Sequence, residues 1–213
     1  MARRIAVLLL MVAAGASCRS AGDVPRPQIV QPGAPGQPTR VIDAATAADL
    51  SGVQYTAADV RFMQAMIGHH AQALEMTALL PSRTSRDDMR LLAQRIDVSQ
   101  ADEIALMQHW LELRGQQVPD AHAHHAAGAA LMPGMLTAED MGRLAGAKGA
   151  AFDRLFLELM IKHHQGALVM VTDLFATAAA GQEADIFVFA SDVDADQRIE
   201  IGRMGFMLQE LQR

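Results

Sequence analysis

From about Ala57 onward, apolar residues recur in alternating steps of four and three. Phe62, Met66, His69, Ala73, Met76 and Leu80 form the first such run. That spacing is the inward seam of a packed α-helix. Thr56 stands where an N-cap belongs and Pro81 ends the run, so a helix is predicted over about 57–80. Ser85 is the expected cap of a second helix, to about Arg114, with Gly115 as its stop. A loop of roughly twenty residues follows. Thr137 then opens a third helical region, which thins around Gly142, Gly146 and Gly149. It runs strongly from Ala151 to about Ala180 and stops at Gly181. A last helix is expected over roughly 183–212.

The seam repeats. Phe62, Met66, His69, Ala73, Met76 and Leu80 recur as Phe156, Met160, His163, Ala167, Met170 and Leu174, 94 residues later. The following helices repeat more weakly at an offset of 97: Gln100, Glu103, Ile104 and Met107 return as Gln197, Glu200, Ile201 and Met204. Two copies of a helix pair, with a short turn inside each pair and a long crossover between them, predict an all-α four-helix bundle. Repeat 1 covers about 57–114, the crossover 115–136, and repeat 2 about 137–212.

Polar residues break the seam at matching places. His69 and His163 lie in it, and His70 and His164 lie on the flanking, largely apolar stripe. In the partner helices Ile96, Gln100, Glu103, Met107 and Trp110 keep the seam spacing, as do Val193, Gln197, Glu200, Met204 and Met207. Two His, two Glu and two Gln are therefore expected to meet in mid-core, layered with Met66, Met76, Met107, Met160, Met170 and Met204. Unpaired polar groups in a core cost several kcal/mol, roughly 2–7. Two readings fit the layer: a hydrogen-bonded register device, or a metal site. Di-iron bundles use Glu-x-x-His, which this sequence lacks. Met66-x-x-His69 and Met160-x-x-His163 put a soft thioether in the Glu position, which suits Cu(I) or Ag(I) better than iron.

Composition narrows the chemistry. The chain of 213 residues is 51% hydrophobic but only 4% aromatic, with 14 Met. Arg3 and Arg4, the apolar run Ile5–Ala16 and the small residues before Cys18 form a signal-type leader, too short for a stable membrane span. It resembles a bacterial lipoprotein signal over residues 1–18, with Cys18 as the lipid-bearing residue and the membrane as partner. Residues 19–55 hold five of the eight prolines and read as a disordered tether, leaving 56–213 as the domain. Losing Arg3 and Arg4 takes the net charge from −6 to −8, which argues against a nucleic-acid partner. Cys18 is the only cysteine, so thiolate metal sites and disulfides are excluded from the domain. Any metal falls to His, Met or carboxylate. The crossover adds a second candidate set, His122, His124 and His125, with Met132 and Met135 after them.

Several motifs in order resemble a bacterial family, the domain of unknown function 305. They are Met132-Pro133-Gly134-Met135, Phe152-Asp153, Met160-Ile161, His163-His164, Gly166-Ala167 and Met170. The first copy matches at Met66-Ile67, His69-His70, Ala73 and Met76, and so does Gln100-x-x-Glu103-Ile104-x-x-Met107-x-x-Trp110-Leu111. The resemblance spans about 56–212. It implies a ferritin-like bundle in the cell envelope, periplasm-facing or at the outer membrane. Some members resemble periplasmic copper-binding proteins with Met and His ligands. The sequence departs from the family at Ala71-Gln72, where Gln-Gly is usual, and at Met207, where the second pair lacks the Trp. The expectation is a non-catalytic, lipid-anchored copper-binding protein. Its ligands are His69, His70, His163 and His164 with Met66, Met76, Met160 and Met170, and Glu103 and Glu200 either orient imidazoles or ligate directly. The rival is an envelope scaffold whose His/Glu/Gln layer is purely structural. A dimetal oxidase is disfavoured by the missing Glu-x-x-His.

Overall fold

In a computed structural model, described over residues 28–31, 39–49, 53–122 and 131–211, the chain is mostly helical, with one small sheet. Within the segment expected as tether, β1 (Ile29–Gln31) pairs antiparallel with β2 (Arg40–Ile42), Ile29 opposite Ile42, and a short helix α1 (Ala44–Ala48) follows. The part of the segment that is described thus has regular structure, and its β-branched Ile and Val suit strands. Cys18 and residues 1–27 lie outside the described residues.

The rest of the described chain carries four long helices. Thr56 caps α2 (Ala57–Thr77): its hydroxyl accepts from the Ala58 and Asp59 amides, and Asp59 reaches back to the Thr56 N–H at 2.6 Å. This reciprocal box satisfies donors that a helix start otherwise leaves open. A single 3-10 turn at Leu80–Ser82 leads to α3 (Asp87–Leu113). Ser85 is not its cap. The N-cap is Arg86, with no side-chain cap bond, and Asp87 and Asp88 in the first turn favour the positive helix end instead. Thr137 caps α4 (Ala138–Gly146) with the box expected of it. Then α5 runs Gly149–Ala176, ending four residues short of the expected Ala180, and α6 runs Ala184–Glu210. Among the described residues no helix is long and apolar enough to cross a membrane.

Helix α2 packs on α3, α5 on α6, and α2 on α5. The core falls into two clusters. One joins the late part of α2 (Ala73, Met76) and Leu80 of the 3-10 turn to the early part of α5 (Phe152, Phe156, Met160), with Met89, Leu92 and Met204. The other joins early α2 (Phe62, Met66, Ile67) to late α5 (Ala167, Val171, Leu174), with Met107, Trp110 and Val193. The two repeats therefore cross in opposite senses. Fully burying one such Leu, Met or Phe is worth about 1.5–3 kcal/mol, so both clusters hold the helices together strongly. Helices α3 and α6 are tied at one end, where Arg114 pairs with Glu183 and Asp185 at 3.0 Å each. Over the rest of their length a groove runs between them, with a cavity of about 570 Å³ lined in part by Glu103, Trp110, Val188 and Asp196.

Candidate metal centre

What separates the two apolar clusters is a polar layer. His69, His70 and His164 are fully buried and His163 is 1% exposed. The His69 and His163 rings face each other, centroids 3.9 Å apart and tilted by 38°. They meet because α2 and α5 cross at the two seam positions that the repeat makes equivalent. Gln100 and Gln197, from the same register of α3 and α6, are buried too.

The flanking histidines have matching partners. His70 Nε2 lies 2.6 Å from Glu103 Oε2, and His164 Nε2 lies 2.7 Å from Glu200 Oε2. With a carboxylate as acceptor, each Nε2 carries a proton, and in the neutral ring the lone pair is then on Nδ1. Both of those Nδ1 atoms are buried and have no hydrogen-bond partner among the described residues. The glutamates reach the layer from the groove side, their side chains 12% and 11% exposed. Asp196 stands over them in the groove. Its carboxyl is pushed upward by burial, then by the charges of Glu103, Glu200 and Asp192, against which Arg95 acts. The groove side of the layer is therefore a concentration of negative charge.

The opposite side is closed by the Met132–Met135 turn. His69 Nε2 donates to the Pro133 carbonyl at 3.0 Å. Gln72 clamps the turn: its amide nitrogen donates to Leu136 O at 3.0 Å and its oxygen accepts from Leu136 N at 2.7 Å. Glycine permits the approach. A Cβ on Gly166 would stand 2.0 Å from Pro133 O, and one on Gly134 2.6 Å from Lys162 O, while Gly134 also has φ +77°.

His163 is the exception among the four histidines. Neither of its ring nitrogens has a hydrogen-bond partner among the described residues. Burial holds its pKa well below the usual histidine value, and the neighbouring His69, His164 and His70 push the same way, against a smaller opposing contribution from the His69 backbone. His163 is a neutral imidazole.

The methionines lie on both sides of the layer, not within it. Met66 and Met107 belong to one apolar cluster, with Met170 half-buried against it. Met76, Met160 and Met204 belong to the other. In antiparallel helices a residue three positions before His69 lies toward one end and its counterpart before His163 toward the other. Met135 is buried in the turn and Met132 half-buried. His122 is on the surface, its Nδ1 2.9 Å from Glu75 Oε1. His124 and His125 lie outside the described residues. Among the described residues no three His, Asp or Glu side chains are grouped as a preformed cation site.

Sequence reasoning noted Gln72 as a departure and Pro133 within a motif but gave neither a role at the site. A signal existed: 94 residues on, Gln72 becomes Gly166, the one place in the histidine phrase where the repeat swaps a long amide for no side chain.

The sequence model of a family described as domain of unknown function (DUF305) matches residues 59–208. The chain is similar to the solved structure of a DUF305 fragment from Deinococcus radiodurans, at 30% identity and TM-score 0.65, covering 73% of this chain and 98% of that one. It is similar to a DUF305 protein from Streptomyces coelicolor described as secreted, at 29% identity and TM-score 0.63, covering 73% and 94%. It is also similar to CopM in the Cu(I)-bound form, at 28% identity and TM-score 0.56, covering 74% and 98%. CopM has further been solved in Cu(II)-bound and Ag-bound forms. A search of curated proteins returns no match.

Proposed function

The chain belongs to the DUF305 family, and we propose that it is an envelope protein that binds or buffers copper through histidine and methionine. The fold we propose for residues 56–213 is the ferritin-like four-helix bundle of two repeated helix pairs. Cys18 carries the lipid that holds the protein at the membrane. The observation that carries the metal reading is the orientation of His70 and His164. Metal-bound histidines donate their second ring N–H to a carboxylate or carbonyl, which fixes the tautomer and raises ligand basicity. Glu103 and Glu200 stand ready as those acceptors, and the Nδ1 atoms of His70 and His164 are buried with no hydrogen-bond partner among the described residues. On a register-only reading both nitrogens would stay without a partner among the described residues, at about 1–3 kcal/mol each.

The donor set fits a soft cation. It offers imidazole from His69, His70, His163 and His164, and thioether from Met66, Met160, Met107 and Met204 one turn to either side. Met76 and Met170 lie a further turn out on the same seams. Imidazole and thioether with no thiolate favour Cu(I). The Cu(I)-bound and Ag-bound relatives support the same class. His122, His124, His125, Met132 and Met135 form a second capture set on the crossover, suited to Cu(II) at the histidines. The bound metal supplies a store of copper and no catalytic step.

The competing reading is a scaffold with a structural layer. The two His–Glu hydrogen bonds and the lack of a preformed three-residue group among the described residues favour it. Titrating residues 19–213 with Cu(I), without oxygen and against a chromogenic chelator, separates the two. The wild type is expected to take at least one equivalent, and the His69→Ala, His163→Ala double variant to lose it. No competition by either protein sinks the copper reading. Equal competition by both moves the metal to the crossover.

A further inference from the structure

We propose that Gln72 is a positioning residue for His69, acting through the Pro133 carbonyl. The inference rests on the copper reading above and deepens it. Three of the four layer histidines have an acceptor on Nε2: Glu103 for His70, Glu200 for His164 and Pro133 O for His69. The first two acceptors are side chains of long helices and need no further support. The third is a backbone carbonyl on an irregular turn whose proline is exposed. Such a carbonyl holds a ring only if the turn itself is held.

Gln72 does the holding. It lies on α2, one turn after His69, and is 3% exposed. Its amide makes both hydrogen bonds that the Leu136 backbone offers, at 3.0 and 2.7 Å. This fixes the chain three residues after Pro133, while Gly166 and Gly134 let the turn lie directly against α5. The result at His69 is one tautomer, with hydrogen on Nε2 and the lone pair on Nδ1. Among the described residues His163 receives no such acceptor, because the repeat puts Gly166 where Gln72 stands in the first copy, and a single turn covers both helices. The two seam histidines, equivalent in sequence, are thus unequal as ligands. His69 enters with its donor atom set, and His163 turns to suit the cation.

The imidazole nitrogens of the full chain, followed by ¹⁵N NMR without metal, test the positioning. The wild type is expected to show His69 wholly as the Nε2–H tautomer. In Gln72→Ala, His69 is expected to become a tautomer mixture while His70 and His164 stay unchanged. A role in stability alone would lower Tm and leave the tautomer as it was. Should the alanine variant fail to fold, Gln72→Met keeps the length of the side chain and removes both hydrogen bonds. Cu(I) affinity is expected to fall about ten- to a hundred-fold in the variant, the usual effect of losing an outer partner of a metal-bound histidine. An unchanged His69 tautomer, or a changed tautomer with unchanged affinity, overturns the role of Gln72. Absence of Cu(I) binding by the wild type brings down the copper reading and the positioning role together. The wild-type arm thereby tells that failure from failure of Gln72 alone.

Discussion

Replacing His163 by leucine should leave the metal-free protein as stable as before or more so, although the residue sits at the centre of the core. The ring is 1% exposed and neither nitrogen is hydrogen-bonded among the described residues. A buried polar group left unpaired costs about 1–3 kcal/mol, and leucine removes that cost. Leucine is close to histidine in size, so the misfit is limited to about 1.5 kcal/mol or less. The net expectation is a gain of roughly 1 kcal/mol, or about 2–4 °C in Tm for a domain of this length. His164→Leu, one residue along the same helix, should do the opposite. It strips Glu200 of the donor at 2.7 Å and leaves a nearly buried carboxylate alone. Breaking such a pair costs about 3–5 kcal/mol, and the slight exposure of Glu200 places the loss near the lower figure. The two variants should therefore differ by about 4 kcal/mol. Urea unfolding followed by circular dichroism, at equal slopes, measures the difference. Equal destabilisation by the two substitutions would falsify the account of His163 as an unpaired core imidazole. The expected pattern also has a functional meaning: a residue that costs stability and persists in the core is one that a ligand repays.

Acid should destabilise the metal-free protein through the same side chain. His163 titrates well below its ordinary value in the folded state and near 6.5 when unfolded. The unfolded chain thus binds the extra proton as pH falls below about 6.5, and stability declines by about 1.4 kcal/mol per pH unit until the folded pKa is reached. Above 6.5 the effect is absent. Stability against pH, compared between wild type and His163→Leu, should differ in slope by one proton, and identical slopes would remove His163 from the account. Gly166→Ala should cost about 1–3 kcal/mol, because the new Cβ meets the Pro133 carbonyl. Hydrogen exchange should speed up at 132–136 in that variant, and unaltered exchange there would mean that the turn does not lie on α5.

The steps of four and three determined the helices, since that spacing alone puts a continuous apolar stripe on one side. They also determined that His69 and His163 lie in the core and that Gln100, Glu103, Gln197 and Glu200 enter it from the partner helices. Start signals were legible where the cap chemistry was local, as at Thr56 and Thr137 with their answering aspartates. They failed at Ser85, where Asp87 and Asp88 serve the helix start without a side-chain cap. Which histidine meets which partner was not legible. A seam position fixes a direction, whereas a hydrogen bond needs a distance, and only the crossing of α2 with α5 sets it. The same crossing sends Met66 and Met160 to opposite sides of the layer, although the repeat writes them identically. Tertiary structure alone decided that the Met132–Met135 turn lies over His69 and His163. Its contacts with Gln72 and Gly166 join residues tens of positions apart, and their chemistry is backbone approach and a single amide. Neither leaves a periodic mark in a sequence.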